Sequence, residues 1–288
     1  MSRTWFITGT SSGFGRELTG QLLERGDRVA ATARRPESLD DLASRHGDRL
    51  WRAPLDVTDT TALRETVDRA FAELGRIDVV VSNAGYGLFG APEELGDEQI
   101  DRQIATNLTA SIQLARAATP HLRRQGGGRY IQIASVGGQI AFPAMSLYHA
   151  TKWGVEGFWE SSAPELAPFG IDVTIVEPGI ARTNFGGGAV LGEALPEYAD
   201  GPSGHLRRVL SGELPPLPAP GDPAKMAAAI IASADQPHPP LRLTLGSDAY
   251  EQATAALRDR LDALEAGRDL AFSTDADDVV PALATTSR

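Results

Sequence analysis

The chain has 288 residues, 42% of them hydrophobic, which is enough to bury a large core and excludes a disordered protein. Its formal net charge of −11 argues against a nucleic-acid partner, because an acidic surface repels phosphate backbones. The chain has no cysteine, and no two of its five histidines stand at i, i+4 spacing, so we expect neither disulfides nor a metal site. It lacks a signal-peptide pattern and an apolar run of about 18 residues, so we expect a cytoplasmic protein with no membrane association.

Short apolar segments alternate with longer amphipathic segments along the chain. The apolar segments predict seven strands, at Thr4–Thr8, Arg28–Ala33, Leu50–Leu55, Ile77–Ser82, Arg129–Ser135, Ile171–Glu177 and Leu241–Leu245. The amphipathic segments predict helices over Gly13–Arg25, Glu37–His46, Asp59–Leu74, Asp97–Arg124 and Leu147–Pro168. This alternation predicts an α/β fold of parallel βαβ units with right-handed crossovers. Apolar runs such as Val79–Val81 indicate strands that helices cover on both faces.

Residues at the ends of the predicted helices support these limits. Asp59 and Asp97 stand where N-caps belong, since a carboxylate there accepts hydrogen bonds from free N–H groups of the first turn. Gly26 and Gly170 follow helical segments, where a left-handed glycine commonly ends a helix.

Two later segments have a different composition. Gly186–Asp222 is rich in glycine and proline and does not predict one regular element, although Glu197–Leu210 is compatible with a short helix. This segment is either a surface excursion or a mobile lid over the substrate. We expect a lid, and we assign residues 184–222 to it. A last helix is predicted over Asp248–Ala266, and residues 267–288 are expected to form a fraying tail.

The first predicted strand is followed directly by T-G-T-S-S-G-F-G, which opens the first helix. Gly9 permits the tight turn, Gly13 lets the backbone approach a diphosphate, and Gly15 allows close packing of the helix. The helix N-terminus offers free N–H groups and the positive end of its dipole to phosphate. Glycine trios also occur in ordinary turns, but a strand–turn–helix junction favours nucleotide binding. The predicted binding residues are Gly9, Ser11, Ser12, Gly13, Phe14 and Gly15.

Tyr148 and Lys152 are four residues apart and so share one face of a predicted helix. A free tyrosine has a pKa of about 10, and a neighbouring ammonium favours the phenolate and lowers that pKa. Tyr148 is then suited to exchange a proton with an alcohol or carbonyl oxygen. Ser135, at the end of a strand, is suited to hydrogen-bond the same oxygen. An isolated Y-x-x-x-K is more often a solvated helix face, but with Ser135 and the nucleotide turn it favours catalysis.

These motifs and several others occur in one order from Thr4 to Thr183. The others are Asn83-Ala84-Gly85 after the fourth strand, Asn107 in the following helix, and Pro178-Gly179 and Thr183 after the sixth strand. Together with the G-x-x-x-G-x-G spacing they resemble the short-chain dehydrogenase/reductase family, in its compact single-domain branch. The resemblance implies a Rossmann-type, doubly wound parallel sheet of seven strands with helices on both faces. It also implies one domain over residues 1–266.

The resemblance implies roles for the matching residues. Ser135, Tyr148, Lys152 and Asn107 would be catalytic, with Lys152 also holding the nicotinamide ribose and Asn107 holding a water in a proton relay to Lys152. The alternative for Asn107 is a kink residue in its helix. Further cofactor contacts would come from Asp56, Val57, Asn83, Ala84, Gly85, Pro178, Gly179, Ile180 and Thr183, the last on the nicotinamide carboxamide. Asp56 could equally cap the next helix. The family commonly forms homodimers or homotetramers through the helices that contain Asn107 and Tyr148.

The end of the second strand indicates which cofactor is used. An NAD enzyme places a carboxylate near position 33 to bond the adenosine ribose, but this chain has Ala33 there and no carboxylate before Glu37. Arg34 and Arg35 follow, and a guanidinium suits a 2′-phosphate. A basic solvated loop is the alternative, most of all for Arg35. We therefore predict NADP(H).

Aromatic residues near the motifs leave two interpretations open. Tyr86, Leu88, Phe89, Phe142 and Phe185 form either an apolar substrate mouth or ordinary core. His149 adjoins Tyr148, but adjacent helix positions point about 100° apart, so we expect a structural or surface histidine.

The sequence favours an NADP(H)-dependent oxidoreductase that interconverts a carbonyl compound and an alcohol, with Tyr148 as general acid/base. Two alternatives remain: an epimerase or dehydratase of the same family without net redox change, and a nucleotide-sensing binding protein. The intact set of Ser135, Tyr148 and Lys152 argues against a pure binding protein. The substrate is expected to be a small molecule, apolar if the aromatic residues line its entrance.

Overall fold

The structure, a computed structural model, describes residues 2–276. Its strands are β1 (Thr4–Thr8), β2 (Arg28–Ala33), β3 (Leu50–Pro54), β4 (Val79–Ser82), β5 (Leu88–Phe89), β6 (Gly128–Ile133), β7 (Ile171–Pro178), β8 (Val190–Leu191) and β9 (Arg242–Leu245). Seven of them form one parallel sheet in the order β3-β2-β1-β4-β6-β7-β9. This confirms the predicted Rossmann-type sheet. Several predicted strand limits differ by one or two residues, and the helix predicted from Glu37 begins only at Asp40, after a 3₁₀ turn. The difference that concerns the site is in β6, which ends at Ile133, so that Ser135 lies in the turn that follows.

The helices are α1 (Gly13–Arg25), α2 (Asp40–His46), α3 (Thr60–Leu74), α4 (Asp97–Ile104), α5 (Ala110–Arg124), α6 (Ser146–Leu166), α7 (Pro202–Leu210), α8 (Pro223–Asp235), α9 (Ser247–Ala266) and α10 (Arg268–Ser273). The single helix predicted over Asp97–Arg124 is divided, because a π-helical turn at Ala105–Thr109 separates α4 from α5. Within residues 2–276, none of the helices combines the length and the apolar character needed to cross a membrane.

Helices cover both faces of the sheet, as the continuous apolar strands predict. Along β4, Val79 and Val81 contribute to one hydrophobic core, and Val80 contributes to the other. Alternate residues of a strand point to opposite faces, so both faces of this central strand are buried. Leu22 of α1 lies in the first core and Trp159 of α6 in the second.

The predicted helix ends are confirmed in three of four places. Asp59 caps α3, since its carboxylate accepts a hydrogen bond from the Ala62 amide at 2.9 Å. Gly26 and Gly170 take left-handed conformations, with φ of 95° and 68°. The N-cap assigned to Asp97 is wrong. Gly96 occupies that position, and Asp97 is the first residue of α4.

The glycine- and proline-rich segment contains more regular structure than its composition predicts. β8 pairs in parallel with β5, and α7 follows. Glu94, in the turn before α4, holds this part of the chain. Its carboxylate accepts hydrogen bonds from the Leu195 amide, at 3.3 Å, and from the Ser203 hydroxyl, and it lies 3.2 Å from the Arg207 guanidinium. Residues 184–189 and 211–220, on either side, lie outside helices and strands.

The end of the described chain is helical. Over the first part of the tail predicted from residue 267 the chain is helical and exposed, since α10 runs from Arg268 to Ser273; residues 277–288 lie outside the described residues. α9 buries only Ala249 and Ala253. Larger apolar residues of α9 and α10, such as Leu264 and Leu270, are exposed.

Candidate active site

The glycine-rich turn between β1 and α1 has the conformation that its spacing predicts. Gly9 has φ of +71°, and a Cβ atom there would lie 2.8 Å from the Ala84 Cα atom. A Cβ atom on Gly15 would collide with the Gly9 carbonyl oxygen. Gly13 has φ of +55°, and the space beside it is open. The first and third glycines are therefore required by packing, while the second leaves room for a ligand beside the backbone.

The serines of the turn lie at the start of α1. Ser12 is the N-cap residue of α1, but the Ser12 side chain makes no capping hydrogen bond. The Ser12 hydroxyl therefore does not occupy the free N–H groups of the first turn. Ser11 and Ser12 are exposed, and Phe14 packs against the core. This helix end has the free N–H groups and the dipole that attract a phosphate.

Asn83 ties this turn to the end of β4. Its side-chain amide donates hydrogen bonds to the carbonyl oxygens of Thr8, at 2.8 Å, and Gly9, at 2.9 Å. The Thr8 hydroxyl accepts hydrogen bonds from the amides of Asn83 and Ala84, at 3.0 and 3.1 Å. Asn83 thus holds the glycine-rich turn in place, with Gly85 exposed beside it. Thr8 was not among the predicted site residues.

The loop after β2 carries the predicted selectivity residues. Ala33 is buried, and Arg34 and Arg35 are exposed. Arg16 of α1 holds this loop from the side, since its guanidinium donates to the Ser38 carbonyl at 2.6 Å and to the Asp41 carboxylate at 2.7 Å. Arg16 follows the last glycine of the turn, which is the sequence signal that could have identified it.

Asp56 lies near Arg34, beyond the end of β3. Its carboxylate accepts hydrogen bonds from the Thr58 amide at 3.0 Å and the Thr58 hydroxyl at 2.7 Å. Burial alone would raise the pKa of Asp56, but these hydrogen bonds and the charges of Arg102 and Arg34 hold it below its usual value. The alternative that Asp56 caps α3 is wrong, because Asp59 does so. Val57 is buried beside it.

Ser135, Tyr148 and Lys152 come together beyond the ends of β6 and β7. Tyr148 is 6% exposed, and Ser135 begins the turn after β6, where its hydroxyl accepts a hydrogen bond from the Gly137 amide at 3.0 Å. Lys152 is buried, and its Nζ atom lies 5.7 Å from the centre of the Tyr148 ring. The i, i+4 spacing on α6 therefore does bring the amine to the phenol.

The pKa of Tyr148 differs from the sequence-based expectation. Burial raises it to about 12, against a lowering influence from the Ser135 hydroxyl. Loss of water around the phenol dominates, and Lys152, whose amine donates to the Ile133 carbonyl at 2.9 Å, does not offset it. Burial also lowers the pKa of Lys152 to about 8, and the Glu156 carboxylate opposes that shift.

Asn107 lies in the π-helical turn between α4 and α5. Its side-chain amide donates to the Tyr86 carbonyl at 2.9 Å, and its side-chain oxygen accepts from the Tyr86 amide at 3.1 Å. The distortion around Asn107 agrees with a kink residue, and these two bonds fix the chain just after Gly85. The relay role assigned to Asn107 stays a prediction.

The residues after β7 are held by a carboxylate that the sequence analysis missed. The Ile180 amide donates to Asp248 at 2.7 Å, and the Gly179 amide donates to the Leu245 carbonyl at 2.8 Å. A Cβ atom on Gly179 would collide with the same carboxylate, so a larger residue after Pro178 would require Asp248 to move. Thr183 lines a cleft of about 380 Å³ whose other wall includes Gly13. The structure thus brings the end of β7 to the glycine-rich turn.

His149 has a structural role, as expected from its direction on α6. It is buried; one ring nitrogen, Nδ1, lies 2.8 Å from the Gly137 carbonyl oxygen, and the other, Nε2, accepts from the Phe142 amide at 2.9 Å. Both bonds are satisfied by the neutral ring, and burial lowers the pKa of His149 further than the Gly137 bond raises it. His149 therefore holds the loop that follows Ser135.

The aromatic residues divide between the two interpretations left open by the sequence. Leu88 is fully buried and belongs to the core. The rings of Phe89 and Phe185 approach the Tyr148 ring edge-on, with centres 6.4 and 5.7 Å away. Phe185 and Phe142 are about 40% exposed. Phe89 and Phe185 therefore border the Tyr148 ring, while Phe142 packs against His149.

Comparison with known proteins agrees with this architecture. Residues 3–191 match the family model described as short chain dehydrogenase. The chain belongs to the short-chain dehydrogenase/reductase family, and it is an oxidoreductase of that family.

Three similar proteins illustrate the relationship. A short-chain dehydrogenase from Streptomyces avermitilis shares 40% identity, with a TM-score of 0.88 over 96% of this chain and 100% of that one. The 3-ketodihydrosphingosine reductase of Bacteroides thetaiotaomicron is 33% identical over 83% of this chain and 86% of its own length. ElxO, solved with NADP bound, is 26% identical, with a TM-score of 0.71 over 88% of this chain and 100% of that one.

Proposed function

We propose that this protein is an NADP(H)-dependent oxidoreductase that interconverts a ketone or aldehyde and the corresponding alcohol. The observation that carries the proposal is a buried tyrosine, Tyr148, with Ser135 and Lys152 beside it. These three residues lie at the carboxyl ends of parallel strands, the edge at which such sheets bind ligands.

The glycine-rich turn fits a dinucleotide. The open space at Gly13 and the start of α1 at Ser12 would take the diphosphate, with the tightly packed Gly9 and Gly15 fixing the shape of the turn. Thr183, across the same cleft, would take the nicotinamide carboxamide. The cofactor supplies or accepts a hydride when bound.

The preference for NADP(H) is argued from charge. Ala33 offers no carboxylate to a ribose 2′-hydroxyl, and the exposed guanidinium of Arg34 suits a 2′-phosphate. Arg16 supports this arrangement, because its bonds to Ser38 and Asp41 hold the loop that carries Arg34. The NADP bound to the relative ElxO agrees with the same choice.

Tyr148 would act as the proton donor in the reduction of a carbonyl group. A pKa of about 12 means that its hydroxyl keeps its proton at neutral pH, as a general acid requires. The Ser135 hydroxyl would hold the carbonyl oxygen, and Tyr148 would protonate that oxygen as the hydride reaches carbon. Lys152 would stabilise the phenolate that remains. The ketone thus gains one hydride and one proton and becomes an alcohol.

An apolar carbonyl compound is the substrate class that the surroundings of Tyr148 favour. Phe89 and Phe185 border the phenol, and Phe142 lies on the loop after Ser135. The reductase from Bacteroides thetaiotaomicron, whose name gives 3-ketodihydrosphingosine as its substrate, is consistent with a ketone substrate. We also propose that residues 184–222 form a lid over the substrate. Residues 1–266 would form a single catalytic domain that includes this lid. A cytoplasmic location and a homodimer or homotetramer also stay predictions.

A substrate panel tests the proposal. Purified protein with NADPH would be given aliphatic, aromatic, steroid-like and long-chain ketones, with loss of NADPH absorbance and formation of alcohol measured together. We expect equal amounts of NADPH consumed and alcohol formed with at least one apolar ketone. Substrate conversion without NADPH consumption would instead indicate an epimerase or dehydratase, and would contradict the proposal.

A further inference from the structure

A cluster of buried charged residues lies directly behind the proposed catalytic residues. Lys152 and Glu156 come from α6, Glu177 from the end of β7, and Arg242 from β9. Lys152, Glu156 and Glu177 are each less than a tenth exposed, and the Arg242 side chain is 31% exposed. Charges in such surroundings persist only when other charges or hydrogen bonds compensate them.

Glu177 is fully compensated within this cluster. Its carboxylate accepts hydrogen bonds from the Gln139 side-chain amide at 2.9 Å and from the Thr244 hydroxyl at 2.8 Å. The Nε atom of Arg242 lies 3.4 Å from the same carboxylate. One guanidinium charge and two neutral donors therefore satisfy Glu177.

Glu156 is only half compensated. One of its oxygens, Oε2, accepts from the Nε atom of Arg242 at 3.1 Å, so that one guanidinium serves two buried carboxylates. The other oxygen, Oε1, is buried without a hydrogen-bond partner among residues 2–276. Lys152 stands one helical turn earlier on the same face of α6 and can supply a second positive charge.

Lys152 has the opposite deficit, because in the described part of the chain its positive charge lacks a carboxylate partner in direct contact. Among residues 2–276, the single hydrogen bond of its amine goes to the neutral Ile133 carbonyl, and no carboxylate lies within 4.0 Å of it. With Arg242 and Lys152 protonated and Glu156 and Glu177 ionised, the buried cluster has no net charge. If Glu156 takes up a proton, one uncompensated positive charge remains.

The pKa directions agree with this balance. Burial lowers the pKa of Lys152 to about 8, and the Glu156 carboxylate opposes the shift. Burial, the charge of Glu177 and a side-chain hydrogen bond with Glu177 raise the pKa of Glu156 to about 7, and Arg242 opposes that shift. Burial therefore moves the pKa values of Lys152 and Glu156 toward neutral pH.

We propose that Glu156 is a positioning residue that acts through Lys152, as the buried counter-charge that keeps the lysine an ammonium ion at neutral pH. The inference rests on the proposed function, in which that ammonium stabilises the Tyr148 phenolate. The turn after Ser135 faces Glu156 with a neutral group, since Gly138 packs on the Glu156 side chain. The charged groups around Glu156 are Lys152 and Glu160 on α6, Glu177 on β7, Arg242 on β9, and Arg260 on α9, whose guanidinium contacts the Gln139 carbonyl.

The composition of the chain makes the proposal directly measurable. Lys152 and Lys225 are the only lysines in the sequence. Protein labelled with ¹³C at the lysine ε-carbon therefore gives two side-chain signals, which Lys225→Arg assigns. The exposed Lys225 is an internal reference expected to be the same in every variant.

The decisive variant is Glu156→Gln, which keeps the shape and an acceptor for Arg242 but removes the charge. We expect the midpoint of the Lys152 titration to fall by about 1 pH unit, because the opposite charge one helical turn away is lost. Glu160→Gln is the matched control: it removes an exposed carboxylate from the same guanidinium and should leave the Lys152 midpoint unchanged. An unchanged midpoint in Glu156→Gln would overturn the proposal.

Two further measurements complete the test. If Glu156→Gln does not fold, the wild-type Lys152 signal decides, since it should show a second inflection near pH 7 where Glu156 takes up its proton; a single inflection overturns the proposal.

The titration needs neither cofactor nor substrate, so its result is independent of the proposed reaction. Where ketone reduction is established, Glu156→Gln should move the alkaline limb of the kcat/KM profile to lower pH by the same amount, and an unmoved limb overturns the link to Tyr148.

Discussion

Tyr148 is the residue on which the proposed chemistry depends. Tyr148→Phe keeps the ring that packs beside Phe89 and Phe185 and removes the proton. We expect kcat to fall about 10²–10⁴-fold, the usual contribution of a general acid, with NADPH affinity nearly unchanged. Steady-state kinetics and a fluorescence titration with NADPH measure the two effects. Tyr250→Phe, the same change on the exposed face of α9, is the control; near-wild-type kcat in Tyr148→Phe would refute the assignment.

Arg34 is the residue predicted to select the cofactor. Loss of a charge-assisted hydrogen bond to a 2′-phosphate costs about 1.5–3 kcal/mol, so Arg34→Ala should weaken NADPH binding by about tenfold or more and leave NADH binding unchanged. Calorimetric titration with both cofactors measures this, with the exposed and distant Arg258→Ala as the control. Equal affinities of the wild-type protein for NADPH and NADH would contradict the prediction.

At the scale of elements, the contacts of Glu94 hold the middle of the proposed lid, residues 190–210, and leave the stretches on either side without such contacts. β8 and α7 are tied to Glu94 through Leu195, Ser203 and Arg207. Removing one member of a buried ion pair costs about 3–5 kcal/mol, so Glu94→Ala should strongly increase amide hydrogen exchange over residues 190–210. Glu98→Ala, which removes an exposed carboxylate from α4, should not. Unchanged protection in Glu94→Ala would show that other contacts hold the segment.

The same division predicts where the lid moves. Residues 184–189 and 211–220 lie outside helices and strands, on either side of the anchored part. We expect these two stretches to gain protection from hydrogen exchange when NADPH and substrate bind, while residues 190–210 change little. Exchange measured by mass spectrometry with and without both ligands tests this. Unchanged protection throughout residues 184–222 would refute the lid.

At the scale of the whole molecule, the sheet and the central site residues could be predicted because their signals are local. Strand and helix periodicities repeat within a few residues, and a turn with Gly9 and Gly15 has few conformations available. Ser135, Tyr148 and Lys152 lie within one stretch of chain at recognisable spacings. The pKa of Tyr148 could not be predicted in this way, because it depends on burial by side chains from several elements.

Residues that support the site from distant elements also carried no sequence signal. Asp248, in the first turn of α9, contacts Ile180 after β7, and Arg242 of β9 contacts Glu156 of α6. Such contacts arise only from the way the elements pack, and no spacing rule relates the positions. The composition did contain one unused signal: Lys152 is one of two lysines in the chain, in a protein whose other basic side chains are nearly all arginine.

The most direct test of the central claim follows a labelled hydride. NADPH carrying deuterium at the transferable position of its nicotinamide would be incubated with a ketone identified in the panel, and the product analysed by mass spectrometry and NMR. The proposed function predicts one deuterium on the carbinol carbon, in one configuration, with one NADPH consumed for each alcohol formed. Product without deuterium at that carbon, or conversion without loss of NADPH, would contradict it.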